Sequence, residues 1–245
     1  MEMEANHSNT TQVERMRIVL LAGIATAPQF FGRCCDWVAS VARQAGWLAR
    51  VDAIYPYGDH SRSVWRQVGE VSGDLPHRLS LLRVGGRAAA DHIRNSYDGE
   101  QLVLIGHSGG GAAAYQAVRI LLKEQKLRPE NCRIIQIGSP KMPIAPELRQ
   151  HVYYIHAVDD HGKAKDPITR LGSWGGWSAG RFRLPGWNAS KYAPAHIEGI
   201  ELIGGHADYL RHDQPFVDEQ QQSNLEKTLG RAWQWVQQSM NAPRR

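Results

Sequence analysis

An apolar run, Gln101-Leu102-Val103-Leu104-Ile105, is followed at once by Gly106-His107-Ser108-Gly109-Gly110 and then by a stretch of helical character. A strand, a serine with glycine at i−2 and i+2, and a helix in immediate succession fit few folds. So sharp a turn leaves no room for side chains on its flanks. A serine hydroxyl is a weak nucleophile, and a strained strand-to-helix turn (a nucleophile elbow) is the device that projects it towards a base. The five residues alone recur by chance in a chain with 24 glycines. Their weight comes from the strand before and the helix after.

Further strand-like runs lie at 16–22, 48–55, 133–137, 151–158 and 197–203. Helical spacing of apolar residues covers 30–45, 88–97, 110–126 and 219–240, and 62–82 is a less regular helical stretch broken near Gly73 and Pro76. Strands alternating with helices predict an α/β fold with a doubly wound, mostly parallel sheet flanked by helices, whose ligands sit beyond the carboxyl ends of the strands. The 245 residues suffice for one such domain over 16–245, preceded by a flexible polar tail at 1–15.

Lys and Arg number 29 against 24 Asp and Glu, a net charge of +5. The cations are interspersed with acids and no recognition motif accompanies them, so no nucleic-acid partner is expected. The excess reads as solvated surface that also favours anionic substrates or lipid surfaces. No apolar run nears the roughly 20 residues that span a bilayer. The opening Met1-Glu2-Met3-Glu4 lacks the basic and apolar regions of a secretory leader, and three cysteines, two of them adjacent, make a poor disulfide framework. A cytoplasmic setting is therefore the expectation. Oligomeric state is not legible.

Chemistry appears when the ends of the later strands are read together. A nucleophile, acid and base set in a sheet of this kind runs in the order Ser, Asp or Glu, His, each beyond a strand's carboxyl end. Ser108 follows one strand, Asp159-Asp160 another, and His206 the last. Asp160, just past its strand, is the favoured acid. Asp159 and Asp166 are the other candidates.

With these residues in view, the chain resembles the α/β-hydrolase superfamily, specifically its compact lipase- and esterase-like members. Gly106-His107-Ser108-Gly109-Gly110, Gly138-Ser139-Pro140 and Gly205-His206-Ala207-Asp208-Tyr209 carry the likeness. It runs over roughly residues 16–240, with the first two strands of that fold absent. The resemblance implies cleavage of carboxylic esters through an acyl-enzyme on Ser108, with His206 as base and Asp160 as acid. It also implies an oxyanion hole built from the Gly109 amide and one from the loop after the first strand. Ile24 is the choice there and Ala25 the next; Ala22-Gly23 stands where the family commonly has His-Gly. No cofactor and no metal is implied, and the expected partner is a small-molecule or lipid-like ester. A thioesterase or an acyltransferase would use the same triad, and a catalytically silent binding module is the non-enzymatic alternative.

A Trp- and Gly-rich loop at 171–195 holds Trp174, Trp177 and Trp187, three of the eight tryptophans. They form either a satellite core under a long loop or a lining, even a lid, for a lipidic acyl pocket. The segment Tyr55-Pro56-Tyr57-Gly58-Asp59-His60 follows a strand end and is expected near the site. Two competing motifs are weak. Gly109-Gly110-Gly111-Ala112-Ala113-Ala114 matches a loose dinucleotide pattern, but no acid closes the next strand. His156-Ala157-Val158-Asp159-Asp160-His161 resembles a dinuclear metal motif with its central histidine replaced by Val158.

Overall fold

The computed structural model describes residues 14–23, 30–57, 75–179 and 185–241. Strands β1 (Arg15–Leu21) and β3 (Gln101–His107) are buried almost end to end, as strands covered by helices on both faces must be. Alternation then divides β1. Met16, Ile18 and Leu20 enter one core, Val19 and Leu21 the other. The first core is closed by α1 (Gly32–Gln44) and α4 (Asn224–Asn241), the second by α2 (Leu75–Arg94) and α3 (Gly109–Lys123).

With β2 (Leu48–Ile54), β4 (Cys132–Ile137), β5 (Val152–Val158) and β8 (His196–Glu201), the strands form one six-stranded sheet in the order β2-β1-β3-β4-β5-β8. Every neighbouring pair is parallel. This is the expected fold class, an α/β fold with a parallel sheet flanked by helices. In this register Leu21 pairs with Gly106 and His107 with Ile137, so β1, β3 and β4 end at one level. The chain segments that follow them are thereby gathered at a single edge.

Several expectations shift. Helix α2 already begins at Leu75, and Pro76 falls in its first turn, where a missing amide costs no hydrogen bond. The stretch read as 88–97 is the second half of this longer helix. Residues 62–74 and tail residues 1–13 lie outside the described residues, and Arg15 opens β1. The loop at 171–195 contains an antiparallel hairpin of β6 (Gly176–Ala179) and β7 (Pro185–Asn188). No helix among the described residues is long and apolar enough to cross a membrane.

Candidate active site

Ser108 sits between β3 and α3 with φ 56° and ψ −128°, a conformation that L-residues rarely adopt. Its amide donates to the Ile137 carbonyl at 2.8 Å, and its side chain is buried. The flanking glycines are there for space. A Cβ on Gly106 would lie 2.3 Å from the Gly111 nitrogen, and one on Gly110 would lie 2.0 Å from the Leu21 oxygen. Gly23, just after β1, passes so close that a Cβ there would meet the Ser108 Cβ at 2.8 Å. Gly23 is thus pressed against the elbow.

His206 lies beyond β8 at the start of a short 3-10 turn, His206–Asp208. Its Nε2 stands 2.9 Å from the Ser108 Oγ and its Nδ1 2.8 Å from Asp166 Oδ2. The turn is held by Asp208, whose carboxylate accepts the Gly205 amide at 2.8 Å. It is fastened to α4 by Asn224, which donates to the carbonyls of Ile203 at 2.7 Å and Asp208 at 2.8 Å.

The carboxylate that meets His206 is Asp166, not Asp160. Asp160 points into water, with its side chain 82% exposed beside His161. Asp159 is engaged locally, accepting the amides of His161 and Lys163. The cause is a chain reversal straight after β5. Gly162 donates to the Asp159 carbonyl, Ala164 bridges antiparallel to Val158, and the Lys165 amide donates to the Ala157 carbonyl. The residue after Lys165 is thereby returned to the strand end that the chain had just left. Asp166 then caps the next turn through Oδ1, which accepts the Ile168 amide at 2.8 Å.

Asp166 is buried. Burial alone would raise its carboxyl, yet the hydrogen bonds from His206, Ile168 and Tyr209 outweigh it and hold the group below its ordinary value. Tyr209, also fully buried, donates to Asp166 Oδ2 at 3.0 Å and accepts the Ala157 amide at 2.7 Å. An ionised carboxylate only accepts, so the proton between Asp166 and His206 belongs on Nδ1. Nε2 is left free to accept from the serine hydroxyl.

Residue 107 contributes as well. The buried His107 ring stacks on that of His206, with centroids 5.0 Å apart and planes at 28°, and its Nε2 meets the His206 carbonyl at 2.9 Å. Burial and the neighbouring imidazole push its pKa down to about 4. His107 is therefore neutral near pH 7 and donates from Nε2.

Of the expected oxyanion donors, Gly109 opens α3, where unpaired amides and the helix dipole favour negative charge. Ile24 and Ala25 lie outside the described residues. Tyr57, from the loop expected near the site, donates to the Gly109 carbonyl at 2.9 Å. Two contributions escaped sequence reasoning, the His107 contact and the Tyr209 bridge, although both residues stood inside the quoted motifs. For Asp166 a signal was present. Asp-Pro before a short turn is an N-cap pattern, and Asp166 caps with Pro167 at the first position.

No protein-family model matches the chain, and no curated protein matches it. Two solved structures that share its general shape are thioesterases by their descriptions. One is the NocB thioesterase domain from the nocardicin cluster, 12% identical, with a TM-score of 0.48, covering 91% of this chain and 95% of that one. The other is the RedJ thioesterase of the prodiginine biosynthetic pathway in Streptomyces coelicolor, 14% identical, with a TM-score of 0.44, covering 94% of each chain.

Proposed function

We propose that the protein is a serine hydrolase that cleaves acyl esters, thioesters included, through an acyl-enzyme on Ser108. The supporting observation is His206 held between two partners, with Asp166 Oδ2 at 2.8 Å on one ring nitrogen and Ser108 Oγ at 2.9 Å on the other. Ser108 Oγ attacks the acyl carbonyl as its proton passes to His206 Nε2. The carbonyl oxygen gathers negative charge and is stabilised by the Gly109 amide at the start of α3. His206, now cationic, is stabilised by Asp166 and returns the proton to the departing alcohol or thiol. Water then attacks the acyl-serine by the same route, with His206 again the base, releasing the acid and restoring Ser108. Ile24 is kept as the second oxyanion donor, since the loop that carries it leaves β1 beside Ser108.

The test is intact mass after exposure to a fluorophosphonate, on wild type and on Ser108→Ala. One adduct on wild type and none on the variant is the expected result. A series of nitrophenyl esters and acyl thioesters of rising chain length then identifies the acyl group and the leaving group. Absence of an adduct on folded wild type overturns the proposal in favour of a silent binding module.

A further inference from the structure

Six large hydrophobic side chains stand exposed among the described residues, and three of them, Leu171, Trp177 and Trp187, belong to one short segment. Trp177 and Trp187 face each other across the β6–β7 hairpin, with ring centroids 5.8 Å apart in an edge-to-face arrangement. Cross-strand pairing accounts for their adjacency but not for their exposure, which is 65% and 59%. The same segment shows what a structural tryptophan looks like here. Trp174 is buried against Tyr154 at 4.9 Å, with Lys141 Nζ 5.0 Å from its ring centre. One indole closes a satellite core and two are turned to water.

Charge singles out the same segment. From Pro167 to Ile197 the sequence has Arg170, Arg181, Arg183 and Lys191 and not one Asp or Glu, so four of the chain's net five positive charges lie here. Lys191 is fastened beside the exposed pair, its Nζ donating to the Trp177 carbonyl. Indoles with an apolar body and a polar edge favour the boundary between lipid head groups and acyl chains. Clustered cations without acids favour an anionic leaflet. Two exposed indoles with a lysine fastened beside them, in a stretch of sequence without acids, describe a surface for docking on a bilayer. Nucleic acid fits less well, because an edge-to-face pair offers no parallel platform for successive bases.

We propose that the β6–β7 hairpin docks the protein on anionic membranes, with Trp177 and Trp187 entering the head-group region and Lys191 beside them. This does not depend on the chemistry at Ser108, and its readout is binding. The full chain is sedimented with vesicles of phosphatidylcholine and phosphatidylserine, and separately with phosphatidylcholine alone. Wild type should pellet with the anionic vesicles, remain largely in solution with the neutral ones, and be released by high salt. Acyl chains brominated near the head group should quench its fluorescence. Trp177→Ala combined with Trp187→Ala should remove at least tenfold of the partitioning. Lys191→Glu keeps both indoles, and therefore the hairpin pair, and should lose about tenfold by charge reversal alone. Unchanged thermal unfolding of Lys191→Glu would show that its loss is not a folding defect. Wild type that stays in solution with anionic vesicles overturns the proposal. So does pelleting that Lys191→Glu and the double variant leave unchanged, or pelleting without quenching by the brominated chains.

Discussion

Asp166 and Asp160 separate the roles that sequence alone left together. Both are carboxylates following β5, but one is buried with three hydrogen-bond donors and the other is solvated. Asp166→Asn keeps the shape and removes the charge that fixes the His206 proton on Nδ1. The amide can instead present an N–H to that nitrogen and leave the proton on Nε2, where it blocks acceptance from Ser108. Turnover of an activated ester is therefore expected to fall roughly 10³–10⁴-fold in Asp166→Asn, as happens when a triad acid is neutralised. Asp160→Asn should leave kcat within about twofold, as a solvated side chain outside the relay should. Equal loss in both variants would remove the carboxylate from the mechanism. The distinction was not legible because sequence spacing measures distance along the chain. The return of Asp166 depends on the Asp159-to-Lys165 reversal, and Gly162 at φ 73° is the residue that allows it. Ser108 and His206 were legible because each lies within a short local motif at a strand end.

At the scale of elements, the elbow works because β3 and α3 nearly touch, and its glycines divide into two kinds. Gly106 would set a Cβ against the first turn of α3 at 2.3 Å and Gly110 one against the end of β1 at 2.0 Å, and neither backbone can step aside. Gly109 would meet only the Tyr57 ring, at 3.4 Å, an ordinary contact. Gly106→Ala and Gly110→Ala should each lower the unfolding free energy by about 3 kcal/mol or more, whereas Gly109→Ala should change it by less than about 1 kcal/mol. Urea denaturation of the three variants checks this; equal losses would mean that composition, not contact, governs the turn. These motif glycines were predictable, since the pattern itself encodes the crowding. The hairpin was not. Gly175-Gly176-Trp177 and Pro185-Gly186-Trp187 have the composition of a loop, and only the pairing of Trp177 with Trp187 shows why they form strands. The length of α2 was missed for a related reason, because Pro76 reads as a breaker unless its place in the first turn is known.

Across the whole molecule, five histidines in or beside the sheet are held below their ordinary pKa, and the consequence is sensitivity to acid. His92, His107, His151, His156 and His196 all have pKa values lowered, in each case chiefly because burial disfavours the charged ring. A histidine whose pKa is lower in the folded state binds fewer protons there than in the unfolded chain. Its stabilising contribution is therefore intact above the unfolded value near 6.5 and is lost as pH falls through the folded one. His107 shows the effect most strongly, with the folded value near 4, and the groups facing it are His206, Asp166 and Tyr209. Between pH 6.5 and 4 its share amounts to about 3 kcal/mol. Asp166, held below its ordinary value, acts with the same sign but in a lower window, beneath about 3.8. Unfolding free energy measured by urea should thus decline from pH 7 to pH 4.5 in wild type. In His107→Gln, whose side-chain amide can still donate to the His206 carbonyl, the decline should be shallower by about 2–3 kcal/mol, whatever the variant's stability at pH 7. An identical slope in both proteins would mean that His107 takes up its proton without opening the site. Acid sensitivity would then belong to the four histidines further out.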